Sequence, residues 1–258
     1  MRKLHFSYGM RLEFDRPVWD HSFALRCVPA SSQKQQIVLE TWRIEPDCRV
    51  NEVRDSFGNL RYVGHIEELH DFFAYEVKGM ARVQSMMVEK GPLQQIYRYP
   101  SEYTRPEPVI REFYRDLGTL EGDTLSRAVF MMEALYREFS YVPGSTDIRT
   151  TAAQALEQRK GVCQDYAHIL ISLCRLAGIP ARYVAGLMIG EGYSHAWVEI
   201  YRDGGWYGLD PTNNLHIDDY YIKLAHGRDY GDCMVDWGVF RGCTGQEQKV
   251  YVNVEEIQ

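Results

Sequence analysis

The sequence predicts an α+β protein, with antiparallel strands first and a mixed helix-and-strand core second. Three observations carry this. Apolar residues in the first hundred positions recur with a period of two, as half-buried strands require. Pro100, Pro106 and Pro108 then interrupt the pattern. Beyond them apolar residues recur at spacings of three and four, until strands resume near Ala181. A chain of 258 residues has room for two modest domains, expected at 1–105 and 106–258.

In chain order, strands are expected over His21 to Val28, Ile37 to Ile44 and Phe73 to Lys78, and a further one over Val83 to Val88. Asp55-Ser56-Phe57-Gly58-Asn59 reads as a turn between strands. The pattern suits a small antiparallel β-sandwich. Asp123-Thr124-Leu125-Ser126 opens a helix whose apolar residues at spacings of three and four are Ala128, Met131, Met132, Leu135, Tyr136 and Phe139. Thr150-Thr151 caps a second helix through Leu156. A third runs from Tyr166 to Leu176 and is closed by Gly178-Ile179-Pro180, where glycine suits the residue after the cap and proline prevents continuation. Strands then follow over Ala181 to Leu187, Ser194 to Tyr201 and Trp206 to Asp210, the last two joined by a tight turn at Asp203-Gly204-Gly205. Lys249 to Val254 forms a final strand.

A formal net charge of -7 lacks the basic footprint of a nucleic-acid binder. No apolar run approaches the ~20 residues of a membrane helix. The stretch from Met1 to Tyr8 lacks the apolar core of a secretion signal, so a reducing, cytoplasmic setting is expected. The six cysteines show neither Cys-x-x-Cys spacing nor an accompanying His-x-x-x-His, which argues against a structural zinc site; a Cys233–Cys243 disulfide stays open as an alternative.

The chemistry concentrates around Gly161-Val162-Cys163-Gln164-Asp165. Cys163 lies where a short loop opens the third helix. A helix amino terminus carries roughly half a positive charge and unpaired N–H groups, which favour a thiolate and a developing oxyanion. Alternation along Ser194-His195-Ala196-Trp197-Val198-Glu199-Ile200 puts His195, Trp197 and Glu199 on one strand face. After the hairpin turn, Trp206, Gly208 and Asp210 share a face of the returning strand. His195 and Asp210 then lie near one end of the hairpin, where a carboxylate can fix the imidazole tautomer. Taken singly, each residue suits a structural role as well: a small buried thiol, a strand histidine, a strand-end aspartate. Together they make a nucleophile, base and orienter, in that order along the chain, on one helix and two strands. Gln164, Asp165 and Trp197 are weaker candidates for lining a substrate channel, and Asp165 with His168 better suits holding the helix against the sheet. Cys174 is expected to pack in the core.

These same residues resemble a known family. Arg159-Lys160-Gly161-Val162-Cys163-Gln164-Asp165-Tyr166-Ala167-His168 is similar to the nucleophile segment of the transglutaminase-like superfamily, with Tyr166 where the pattern often has Phe. Gly178-Ile179-Pro180-Ala181-Arg182-Tyr183-Val184-Ala185-Gly186 resembles the strand that follows it. Ser194 to Glu199 and Trp206 to Asn213 resemble the histidine and aspartate segments. His216-Ile217 and Ala225 to Tyr230 resemble the tail of the bacterial branch, in which a β domain precedes the core. The resemblance implies a papain-like core behind an antiparallel β-sandwich, and a triad of Cys163 as nucleophile, His195 as base then acid, and Asp210 as orienter. It implies a peptide or protein amide as substrate. Water as acceptor makes the protein a peptidase or amidase, and a lysine-type amine makes it a transglutaminase. A non-catalytic peptide- or protein-binding module is the reading from another class. No cofactor is expected: the chain lacks the length for the β domains of the calcium-dependent animal enzymes, and it shows no EF-hand loop.

Overall fold

The computed structural model describes residues 1–85 and 88–257. Its first element, β1 (Arg2–Leu25), is longer than the expected strand over His21 to Val28, because apolar residues also alternate from Leu4 to Phe14, ahead of an exposed stretch at Asp15 to Pro17. Then come β2 (Gln35–Glu45), β3 (Val50–Arg54), β4 (Leu60–Ile66), β5 (His70–Val83) and the short β6 (Val88–Lys90). The strand expected across Val83 to Val88 resolves into the end of β5 and the start of β6, and 86 and 87 lie outside the described residues. The Asp55 to Asn59 turn joins β3 to β4, held by Asp55 Oδ1 accepting the amides of Phe57 and Asn59.

The amino half of β1 pairs with β5, which also pairs with β2. A register shift between Glu13 and Val18 bends the strand, and its carboxyl half pairs with β4. Apolar residues of both halves, among them Phe6, Tyr8, Phe23 and Leu25, are buried in the shared core.

A 3₁₀ turn at Gln95–Arg98 leads to α1 (Pro108–Asp116), with proline in its first turn, where a missing N–H costs no bond. α2 (Thr124–Glu138) is capped by Asp123, whose side chain accepts from the Ser126 amide. β7 (Ser140–Tyr141) precedes α3 (Ala152–Gln158), which starts with a Thr151–Gln154 capping box. β8 (Lys160–Gly161) pairs in parallel with β7 just before α4 (Cys163–Leu176). Helix α4 is followed by its cap Ala177 and then Gly178, whose φ of 75° is left-handed.

The core sheet has six strands among the described residues: β9 (Ala181–Met188) lies between β11 (His195–Arg202) and β14 (Tyr221–Gly227), with β12 (Gly205–Asp210), β13 (Leu215–His216) and β6 beyond β11. Asp203 and Gly204 both have positive φ, 51° and 80°, the type I′ geometry that matches strand twist. Helix α4 packs on β9 and β11. Ala196, Val198 and Ile200 join its core, whereas Trp197 belongs to a second cluster with Val184, Ile217 and Tyr221.

The remaining elements return to the first sheet. β10 (Gly190–Gly192) pairs with β16 (Gln246–Glu256), and both β16 and β15 (Asp236–Arg241) pair with β1; α5 (Tyr230–Cys233) lies between β14 and β15. The buried guanidinium of Arg175 staples the proline-rich linker to the core. It donates to the carbonyls of Tyr97, Ala181 and Arg228 and to Thr104 Oγ1. All six cysteines are free, so Cys233 and Cys243 are not joined, and Cys174 is buried in the core. No helix among the described residues is long and apolar enough to cross a membrane.

Candidate active site

Cys163 is the first residue of α4, and its placement depends on Asp165. Asp165 Oδ2 accepts the Val162 amide at 2.8 Å and the Thr146 hydroxyl at 2.6 Å, tying the loop after β7 to the helix start. A side chain at Gly161 would collide with the Asp165 carboxylate, so glycine permits the close approach. Asp165 is fully buried, and burial raises its pKa despite these two bonds.

His195 opens β11. Its Nε2 lies 2.7 Å from Asp210 Oδ2, at the end of β12. The register that pairs Val198 with Leu209 brings the two together diagonally across the hairpin. Oδ2 also accepts from Asn213 Nδ2 at 2.8 Å and Tyr221 Oη at 2.9 Å, while Oδ1 accepts the amides of Thr212 at 3.0 Å and Asn213 at 3.3 Å. Burial alone would push the Asp210 carboxyl upward, but the His195 bond and its other donors hold it below the usual carboxylate range. Burial likewise works against the His195 imidazolium. The hydrogen bond to Asp210, and then one to Cys163, outweigh it and push the pKa up to about 10. Because Nε2 serves Asp210, Nδ1 is the nitrogen left for the Cys163 sulfur.

The arrangement thus brings together a thiol at a helix amino terminus, an imidazole beside it, and a buried carboxylate bonded to the imidazole. Cys163 is half-buried and His195 keeps a tenth of its side chain exposed, so neither is sealed from solvent.

Gln164 is half-buried on the first turn of α4. Asp165 faces inward onto the cap. Trp197 is 1% exposed; its ring stacks 6.5 Å from His195 and meets Tyr221 edge-on at 5.6 Å, forming a floor beneath the imidazole. His168 is buried between Tyr103 and Tyr183 and accepts the Tyr230 amide; burial, then Arg175, lowers its pKa to about 3. Glu199 shares the His195 face but binds Arg182 at 2.6 Å and Lys223 at 3.0 Å.

Tyr221, Asn213 and Thr146 were not singled out from sequence. Asn213 follows Asp210-Pro211 in a turn, where a side chain that bonds back toward the aspartate is a readable signal. Tyr221 and Thr146 carry no such local mark, since each reaches its aspartate from a separate element. Among the described residues no group of three or more His, Cys, Asp or Glu side chains is placed to hold a metal ion.

Residues 111–211 match the model of the Transglutaminase-like superfamily, and residues 4–82 match the Bacterial transglutaminase-like N-terminal region. An uncharacterised protein of Mycobacterium leprae is 37% identical over 46% of this chain and 46% of its own length, so the chain's match spans about half of that relative. A protein-glutamine gamma-glutamyltransferase of Pseudomonas aeruginosa is 31% identical over 32% of this chain and 15% of its own. Among solved structures, a provisionally assigned cysteine protease from Cytophaga hutchinsonii superposes with a TM-score of 0.83 at 23% identity, covering 100% of this chain and 91% of that one. That likeness establishes the fold.

Proposed function

Because the chain belongs to the transglutaminase-like superfamily, with the bacterial N-terminal region ahead of the core, we propose that it is a cysteine-dependent amide hydrolase acting through a thioester. The observation that carries this is the hydrogen bond of His195 to the buried Asp210, with Cys163 beside the imidazole at the first residue of α4. We read the chain as a β unit over 1–105 and a catalytic core over 106–258, with β10, β15 and β16 completing the β unit's sheet. The packing of α4 on β9 and β11 supports a papain-like core.

In this reading the Cys163 thiolate attacks the carbonyl carbon of a peptide or protein amide and forms a C–S bond. The oxyanion accepts from the Cys163 amide, one of the unpaired N–H groups of the helix start. The tetrahedral adduct collapses, the C–N bond breaks, and the amine leaves with the proton from His195 Nδ1. Water then gives a proton back to His195, attacks the thioester and releases the acid, restoring the thiolate. Asp210 holds the ring so that Nδ1 faces sulfur throughout. The partial exposure of Cys163 and His195 supports water as acceptor and speaks against a closed, purely binding groove. The match to the P. aeruginosa transferase favours a second reading, in which an amine replaces water in the last step.

Replacing Cys163 by Ala should abolish covalent labelling by iodoacetamide at mildly acidic pH, where a free thiol such as exposed Cys243 reacts slowly. Rapid labelling that persists in the variant sinks the assignment. Mass spectrometry of wild-type protein incubated with glutamine-, asparagine- and backbone-amide peptides, with and without a primary amine, then separates acid from transamidated product.

A further inference from the structure

His21 and His70 are buried, at 2% and 7% exposure, and their rings stack 5.3 Å apart in the β unit. His70 Nδ1 lies 2.9 Å from the Glu68 carbonyl, and its Nε2 lies 3.1 Å from His21 Nδ1. A carbonyl oxygen only accepts, so His70 Nδ1 carries a proton. With both rings neutral, His70 Nε2 is then a bare acceptor and takes the proton of His21 Nδ1. One position remains, His21 Nε2, fixed as an unprotonated acceptor. It lies over the α-carbon of Gly238, where an added methyl would sit 2.8 Å from it, and no partner among the described residues bonds to it.

His21 lines a cavity of about 260 Å³. Its apolar walls include Met10, Leu25, Phe23, Phe73 and Phe240, and Phe73 and Phe240 meet the His21 ring edge-on at 5.0 and 5.7 Å. Trp237 and Ile148, 44% and 57% exposed, line the same space and open it to solvent. Asp236 also lines it, its carboxyl bonded to Gln248 at 2.7 Å, which disfavours an anionic occupant.

We propose that this cavity is a binding site for an uncharged single-ring phenol, its hydroxyl donating to His21 Nε2 and its ring held by the surrounding aromatic side chains. A buried bare acceptor set among aromatic side chains favours a flat, largely apolar molecule that can donate one hydrogen bond. The same chemistry is offered by a free phenol and by the tyrosine side chain of a peptide. The site is separate from Cys163, so it stands or falls independently of the proposed reaction.

The test uses the full chain. p-Cresol should bind saturably, quench Trp237 fluorescence and shift the nitrogen resonance of His21 Nε2. Toluene, of equal shape but without a donor, should bind about tenfold more weakly, the difference one hydrogen bond makes. Gly238→Ala, which blocks Nε2 while leaving the histidine pair intact, should weaken p-cresol to the toluene level; His21→Phe should do the same if it folds. The peptide Gly-Tyr-Gly binding as tightly as p-cresol identifies the tyrosine side chain as occupant, and its exclusion identifies a free phenol. Equal affinity for p-cresol and toluene, or no saturable binding of either, overturns the proposal and leaves Nε2 to a bound water.

Discussion

His195 gives Nε2, not Nδ1, to Asp210, at 2.7 Å, and this orients the imidazole so that its other nitrogen faces Cys163. Asp210→Asn keeps the shape but removes the charge and the fixed tautomer. kcat/KM on an amide substrate should fall by about 10²–10⁴-fold. The same bond predicts a pH dependence of stability. His195 rises from its ordinary 6.5 to about 10, so its contribution is complete below 6.5 and is lost as pH climbs through about 10. Asp210 falls below its ordinary 3.8, so its contribution is present above 3.8 and is lost as pH drops through the lower folded value. Thermal midpoints of the wild type should therefore decline from pH 6.5 toward 10, and Asp210→Asn should flatten that decline. Parallel profiles for the two proteins would contradict the assignment.

Asp165 tests whether the helix start is held by its charge or by its acceptor geometry. Asp165→Ala leaves the Val162 amide and the Thr146 hydroxyl unpartnered in a buried place, at a cost of about 1–3 kcal/mol. Asp165→Asn keeps an acceptor for the amide and removes a carboxylate whose ionisation burial opposes, so its loss should be smaller. Urea midpoints rank the two. Because the cap positions Cys163, the Ala variant should also alkylate more slowly at that residue. An Asn variant less stable than Ala would show that the ionised form is required.

Much of the site was legible in the sequence because it is local. Cys163, His195 and Asp210 each begin or end an element, and Asp203-Gly204 fixes the hairpin that joins two of them. The capping of α2 and α3 was equally readable from Asp123 and Thr151. What was not legible is non-local. Strand alternation marks Val250, Val252 and Val254 as one face but does not say that β16 pairs with β1. β14 and β15 were missed because Lys223, His226 and Gly238 break the apolar run. Tyr221 reaches Asp210 from one of those strands, so its part in the site follows only from the sheet order.

Gly186 lies on β9 opposite His195, where a side chain would collide with the Trp197 ring and the Ile222 carbonyl oxygen. Backbone cannot move as a flexible side chain does, so Gly186→Ala should destabilise by about 1–3 kcal/mol. Trp197 is the floor beneath His195, and its displacement should reach the imidazole. The expected signature is a lowered kcat/KM together with altered near-ultraviolet circular dichroism from the tryptophan. A variant as stable and active as wild type would show that the floor has slack.

Arg175 carries a buried positive charge that no carboxylate pairs at salt-bridge distance among the described residues; three backbone carbonyls and the Thr104 hydroxyl solvate it instead. Burial brings its pKa down to about 10, which still leaves it charged at neutral pH. Arg175→Met removes the charge together with every donor, and strands the carbonyls of Tyr97, Ala181 and Arg228 in the core. The cost should be about 2–4 kcal/mol. Arg175→Lys keeps the charge on a single nitrogen, which cannot span acceptors on the linker, β9 and the segment before α5 as the planar fork does, so it should recover only part of the loss. Urea denaturation measures both, and hydrogen exchange should show the Tyr97 to Thr104 linker opening first. A Met variant within about 0.5 kcal/mol of wild type would mean that these carbonyls find water or other donors once the guanidinium is gone.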